Sequence, residues 1–206
     1  MNVSTVAPAP VPVTPPAAPA LSAQHLMQLE AARGAARKIM RAANVARGDG
    51  WTVGAFGALS FLLGLGSVSG PLVGSGMLVV AFVELRAAKR LRRFESAAAK
   101  TLGINQLALA ALLFAYAVCG IYSVLTGPSP YAEAVASEPL LGDMLRPVED
   151  LGRLISLLVY GVVIGVALFF QGGMAMYYFS RARHVRDYLT RTPAWIVAVQ
   201  KAGNLF

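Results

Sequence analysis

The sequence predicts an all-α fold of the polytopic membrane class: a four-helix transmembrane bundle with amphipathic cytoplasmic flanking helices. Three observations carry that expectation. Of 206 residues, 56% are hydrophobic and 14% charged, whereas a soluble domain carries about a quarter charged residues. The apolar residues come in uncharged blocks, 50–83, 101–132 and 154–180, each longer than the roughly 18 to 20 residues needed to cross a bilayer. The basic residues, which give the chain a net charge of +8, gather at the flanks of those blocks. Membrane topology needs them there, and nucleic acid is not an expected partner.

The first block is long enough for one crossing or two. Arg33, Arg37, Lys38, Arg41 and Arg47 precede it; Arg86, Lys89, Arg90, Arg92, Arg93 and Lys100 follow it. One crossing would leave a strongly basic flank outside, against the positive-inside bias. Two crossings leave both inside, and Gly66, Ser67, Ser69 and Gly70, followed by Pro71, supply the turn. The expected spans are about 51–67 and 71–87, the alternative being one long helix kinked at Pro71. Spans three and four are expected at about 104–125 and 154–179. Sixteen of the 18 lysines and arginines then lie on the inner segments, leaving Arg146 and Arg153 in an acidic outer connection. Both termini are placed in the cytoplasm and the protein in the plasma (inner) membrane. An arginine-rich, alanine-rich composition points weakly to a bacterial source. Trp51, Tyr122, Tyr177, Tyr178 and Phe179 are expected at the membrane–water interfaces.

Outside the membrane, residues 1–21 form a Pro/Ala-rich tail without a folded core. There is no signal-peptide pattern there, so the first span is the expected insertion signal. Residues 22–48 read as an amphipathic cytoplasmic helix capped by Ser22, with Leu29, Ala32, Ala36, Ile39, Met40 and Ala43 on one face. Its second face carries Arg33, Arg37 and Arg41 at i, i+4, i+8. It can lie on an anionic leaflet or dock on other cytoplasmic segments. Span two is expected to continue inward as a helix with Ala87, Leu91, Phe94 and Ala98 on one face and Arg86, Lys89, Arg90 and Arg93 on another. These arginines and lysines are the candidate contacts for anionic headgroups or a partner. The transmembrane domain as a whole is expected over 49–190. Pro147, with Glu149 and Asp150 behind it, marks an expected helix start, and the helix runs on to about Leu189. Thr192, Pro193 and Gly203 bound a short interfacial C-terminal helix within 191–206, anchored by Trp195, Ile196 and Val199.

Chemistry is sparse. The span centres contain no ionisable residue, whereas proton relays and ion paths use them. Glu84, at the inner end of span two, is expected to pair with neighbouring basic residues. Asn105 and Gln171 are the candidate intramembrane polar site, Gln171 beside Gly172 and Gly173. Gly70 and Gly74, and Gly161 and Gly165, are small-xxx-small pairs suited to close helix packing, within one chain or between copies. Cys119 is the lone cysteine, expected to pack as a small hydrophobe. No zinc-protease, phosphate-loop, serine-hydrolase or Cys/His metal motif occurs, so no cofactor, metal or catalytic residue is expected. The function expected is that of a non-catalytic accessory, scaffold or interaction subunit with a basic cytoplasmic surface. The alternative is a small oligomeric channel or carrier packed through its glycines and lined by Gln171, Asn105 and the tyrosines. The two differ in whether those polar side chains share a face with the glycines.

Overall fold

A computed structural model describes residues 22–66, 69–128 and 140–203. They are helical apart from short turns and include no strand. Helix α1 spans Ala23–Leu63 and ends in a 3-10 turn, Gly64–Gly66. Helix α2 covers Ser69–Arg92 and α3 covers Ser96–Thr126. Helix α4, Leu140–Val166, passes through a π-helical segment, Ala167–Gln171, into α5, Gly172–Arg191. Helix α6, Ala194–Gly203, closes the chain. The expectations for residues 1–21, for Glu133 and Glu138 in the outer connection and for Ser67 in the turn lie outside the described residues.

Among the described residues, three helices are long and apolar enough to cross a membrane: Ser69–Arg92, Ser96–Thr126 and the continuous run Met144–Arg191. The first apolar block is divided into two helices packed against each other rather than forming one kinked helix. Gly57 and Gly74 let the backbones of α1 and α2 meet: a Cβ on Gly74 would lie 2.7 Å from the Gly57 carbonyl oxygen. At the tip, Gly64 and Gly70 touch backbone to backbone. Close approach of this kind is how helices gain packing energy where lipid removes the hydrophobic incentive.

Helix α1 does not break between its basic and apolar parts. It runs through Arg47-Gly48-Asp49-Gly50 as one helix of 41 residues, so the basic and apolar stretches are joined without a turn. Its buried stripe, Ala32, Ala36, Ile39, Ala43, Ala46, Gly50, Val53 and Gly57, continues across it. Gly50 belongs in that stripe because it faces Leu85 of α2 with little room for a side chain. The N-terminus is closed by Ser22, whose hydroxyl accepts from the His25 amide at 3.3 Å while the His25 ring accepts from the Ser22 amide.

The inward extension of α2 is shorter than expected. The helix stops at Arg92, and the chain reverses into α3 through a turn centred on Phe94, at φ 60°. The Phe94 amide donates to the Leu91 carbonyl and the Glu95 amide to the Arg90 carbonyl. That is the paired Schellman pattern that terminates a helix in a left-handed residue. Glycine normally takes that place, since a side chain there costs about 1–2 kcal/mol. Phe94 holds it because its ring is buried and stacks on Tyr188 at 5.0 Å. An ion pair from Arg90 to Glu95 at 2.7 Å spans the turn. Ala87, Leu91, Phe94 and Ala98 still enter one core, but from two helices.

That core is the main one in the molecule. It joins the N-terminal part of α1, the end of α2, the start of α3, α5 and α6, and it forms the basic end of the bundle. Tyr178, expected at an interface, is fully buried within it, because it falls on the inward face of α5 with Ala175, Ala182 and Val185. Helix α6 docks through Ile196 and Val197, while Val199 is exposed and Trp195 meets His25 edge-on at 5.4 Å. At the opposite end, α4 starts at Leu140 and carries Pro147 inside it, so Pro147 is not its first residue. The long fourth helix does run on to Arg191. Cys119 is exposed on α3 rather than packed.

Candidate functional site

The basic surface and a buried polar cluster lie on opposite sides of the same helices. On α1, Arg33, Arg37 and Arg41 are exposed while Ala32, Ala36 and Ile39 are buried. The helix therefore docks through its apolar face and presents its arginine stripe outward. On α2 and the turn after it, Arg86, Lys89, Arg90 and Arg93 are exposed in the same way. Arg90 is engaged by Glu95. A long basic side chain that lies free on a rigid helix keeps both its charge and its reach for an external anion.

Beneath this surface, the level of Gly50 and Leu85 carries a cluster that the sequence does not advertise. Gln106 of α3 is fully buried and its amide nitrogen donates twice. One hydrogen bond goes to Asp49 Oδ2 of α1 at 2.6 Å and the other to Glu84 Oε1 of α2 at 2.8 Å. One amide thus ties three helices together. Glu84 is fully buried and its partner is this amide, not a lysine or arginine, because its position on α2 turns it toward α3 while Arg86 and Lys89 point out. The expected pairing with basic neighbours is replaced by an amide bridge. Tyr178 of α5 stands within electrostatic reach of both carboxyl groups. Glu84 Oε2, Gln106 Oε1 and the Tyr178 hydroxyl find no protein hydrogen-bond partner among the described residues. Burying a carboxyl without a cation is costly unless its oxygens are hydrogen-bonded, so this amide does much to hold the three helices in register.

Beside Gln106 on α3, Asn105 is buried and donates from Nδ2 to the Val80 carbonyl of α2 at 3.0 Å. Gln171 is buried in the π segment on the face that also holds Ala167 and Ala175. The extra residue of a π turn rotates the helix beyond it and leaves Phe169 and Phe170 outward, 85% and 63% exposed. Asn105 and Gln171 thus serve separate elements. Gly70 and Gly74 lie at the α1–α2 contact, away from both. Gly161 and Gly165 on α4 have open space where a Cβ would stand. Tyr116 and Tyr160 meet edge-on at 5.8 Å between α3 and α4.

Among the described residues there is no group of three or more His, Cys, Asp or Glu side chains placed to hold a metal ion. The signal that could have revealed the buried cluster was Asp49, Glu84 and Gln106 each standing at the basic edge of an apolar helix. Linear spacing does not show that the three edges coincide. Comparison with protein-family models, curated proteins and solved structures finds no match.

Proposed function

We propose that this chain is a non-catalytic integral membrane protein with four spans and both termini in the cytoplasm, acting as an accessory, scaffold or interaction subunit. Its basic end is the working surface, offered to anionic lipid headgroups and to a membrane-protein partner. The observation that carries this is the rigid basic end itself: a packed helical core whose outer faces are arginines and lysines. A scaffold needs a surface held in fixed shape, and this one is held by five helices.

Four crossings are supported by the hairpin. Helices α1 and α2 are in contact down to the Gly64–Gly70 tip, so a membrane that contains α2 also receives residues 51–63 of α1. Phe56, Leu59, Leu62 and Leu63 on that stretch are exposed apolar side chains suited to lipid. The charge distribution supports an inward-facing basic end. The channel alternative is less well supported, because Asn105 is committed to a backbone carbonyl of α2 and Gln171 is buried on the face that holds Ala167 and Ala175. Gly161 and Gly165 on α4 instead have open space where a Cβ would stand.

The test is in-cell cross-linking of a C-terminally tagged copy, read by mass spectrometry. Cross-links to another protein through residues 22–46, 84–100 or 181–203 are expected. Cross-links only between copies, at defined sites in the spans, would favour the oligomeric channel and overturn the accessory role. A reporter fused after Phe206 is expected to be active only in the cytoplasm; activity outside would overturn the topology.

A further inference from the structure

Resting on that proposed lipid-facing surface, a discrete cleft stands out between α1 and α2 at the level where the helices pass from basic to apolar. It has a volume of about 290 Å³ and is lined by Arg47 and Trp51 of α1 and by Leu85, Ala88, Lys89 and Arg92 of α2. Three cations from two helices face one cavity, and no carboxylate is among the lining residues. Neither Arg47 nor Lys89 has an ion-pair partner among the described residues. Arg92 is aimed by a hydrogen bond from its Nη2 to Asn44 Oδ1 at 2.7 Å, made across the hairpin. Like charges gathered in a fixed cleft repel one another, and an anion seated between them removes that cost.

Two further features decide which anion. Trp51 is 64% exposed at the first turn of the apolar stretch, where an indole takes its place among the headgroups of a bilayer. Below the cations the wall becomes Leu85 and Ala88, and beyond them Phe82 is exposed to the surroundings. A ligand that fits is anionic at one end and apolar at the other, and it enters from the side of the bundle. We propose that this cleft binds the phosphate of an anionic phospholipid of the inner leaflet. Arg47, Lys89 and Arg92 hold the headgroup, Trp51 lies against the glycerol region, and the acyl chains run along α2 past Phe82. Arg47 and Arg92 thus become binding residues alongside Lys89. Arg33, Arg37 and Arg41 remain a diffuse basic stripe outside the site.

The full-length protein, purified in mild detergent, is titrated with phosphatidylglycerol, with phosphatidylcholine and with inorganic phosphate, and bound copies are counted by native mass spectrometry. Two charge-matched triple variants are compared: Arg47→Gln with Lys89→Gln and Arg92→Gln, and Arg33→Gln with Arg37→Gln and Arg41→Gln. Wild type is expected to retain one tightly held phosphatidylglycerol and no phosphatidylcholine. The cleft variant is expected to bind it at least about tenfold more weakly, since each basic side chain near an anionic surface contributes severalfold. The stripe variant is expected to keep it, and inorganic phosphate not to compete. Equal losses in both variants would overturn the discrete cleft while leaving the lipid-facing surface in place. No preference for phosphatidylglycerol in wild type would overturn both. Competition by inorganic phosphate at comparable concentration would replace the lipid with a free anion and so overturn the lipid assignment. Circular dichroism of each variant separates lost binding from lost folding, and Lys89→Arg, which keeps the charge, is expected to retain the lipid.

Discussion

The two ends of the bundle use the same helices under opposite rules. At the basic end, the core contains Ile39, Leu91, Phe94, Leu102, Tyr178 and Ile196, all nearly or wholly inaccessible, under a surface of arginines and lysines. Toward the other end the pattern inverts. Phe56, Leu72, Phe82, Phe114 and Phe169 are on the outside, and the contacts inside are made by small residues and a few methyl-bearing ones, Val53, Val80, Ala81 and Leu109. Along the apolar 18-residue stretches of α3 and of the run Met144–Arg191, only 11% of residues are buried. The difference teaches where stability resides. Water rewards burial of large side chains at the basic end. Lipid gives no such reward, so the apolar end is held by shape and by the polar bridge at its base.

Removing one large ring from each end separates the two rules most clearly. Phe94→Ala is expected to cost about 3–5 kcal/mol, the usual range for a buried phenylalanine. Phe169→Ala, at a position 85% exposed, is expected to change stability by less than about 0.5 kcal/mol. Unfolding in mixed micelles titrated with a denaturing detergent, followed by loss of helical signal, measures both. Comparable losses would mean that the apolar end has a core of its own. Phe94→Gly refines the test: it also loses the ring but relieves the left-handed backbone, so it should be about 1 kcal/mol less damaging than alanine.

The next contrast lies between two glycine pairs. Gly74→Val puts side-chain atoms against the Gly57 carbonyl and the Phe61 backbone, and overpacking of this kind costs about 1–3 kcal/mol. Gly161→Val meets open space and is expected to leave monomer stability unchanged. If Gly161→Val abolishes cross-links between copies, the open face of α4 is an interface. If neither variant has any effect, the hairpin does not depend on glycine contact.

The polar bridge offers a smaller effect with a diagnostic sign. Gln106→Ala removes the amide shared by Asp49 and Glu84 and leaves a buried carboxyl without its partner, an expected loss of about 2 kcal/mol. Glu84→Gln keeps the shape and replaces one of two buried carboxyl groups with an amide, so it is expected to be neutral or mildly stabilising. The double variant should lose less than Gln106→Ala alone, since fewer buried carboxyl groups are then left without the amide. Thermal melting of the four proteins forms the cycle, and simple additivity would show that the three side chains do not act together.

The legibility of the sequence divides along the same line. The apolar blocks, the reversal near Pro71 and the Ser22 cap are local or compositional signals, and the structure contains a hairpin, long apolar helices and that cap. Features set by contacts between distant segments did not show. Glycine at 48 and 50 beside Arg47 and Asp49 looks like a break, yet packing of Gly50 on Leu85 keeps α1 continuous. A phenylalanine gives no hint of a turn, and only the Tyr188 ring explains why Phe94 terminates α2. Of the candidate site residues, the exposed basic ones could be chosen from periodicity. The Asp49–Gln106–Glu84 bridge and the Arg47–Lys89–Arg92 cleft could not, because each draws on helices whose relative register is fixed only by tertiary packing.

The smallest expected effect tests the outermost part of the basic end. Ser22 caps α1 with its hydroxyl on the His25 amide, and His25 reaches back to the Ser22 amide and also lies against Trp195 of α6. Ser22→Ala removes one acceptor from the first turn, worth about 1 kcal/mol to the helix. The first buried residue of α1 is Ala32, and Leu29 packs half-buried on the core, so the turns before Leu29 rest on the cap and on the Trp195 contact. The loss is therefore expected as local fraying: faster amide exchange over residues 23–28, with no shift in global unfolding. Exchange spreading past Ala32 would mean that the N-terminal turns help hold the core. In that case the basic end would be one cooperative unit up to Ser22, and the arginine stripe at 33, 37 and 41 would owe its rigidity to the cap as well as to the packing beneath it.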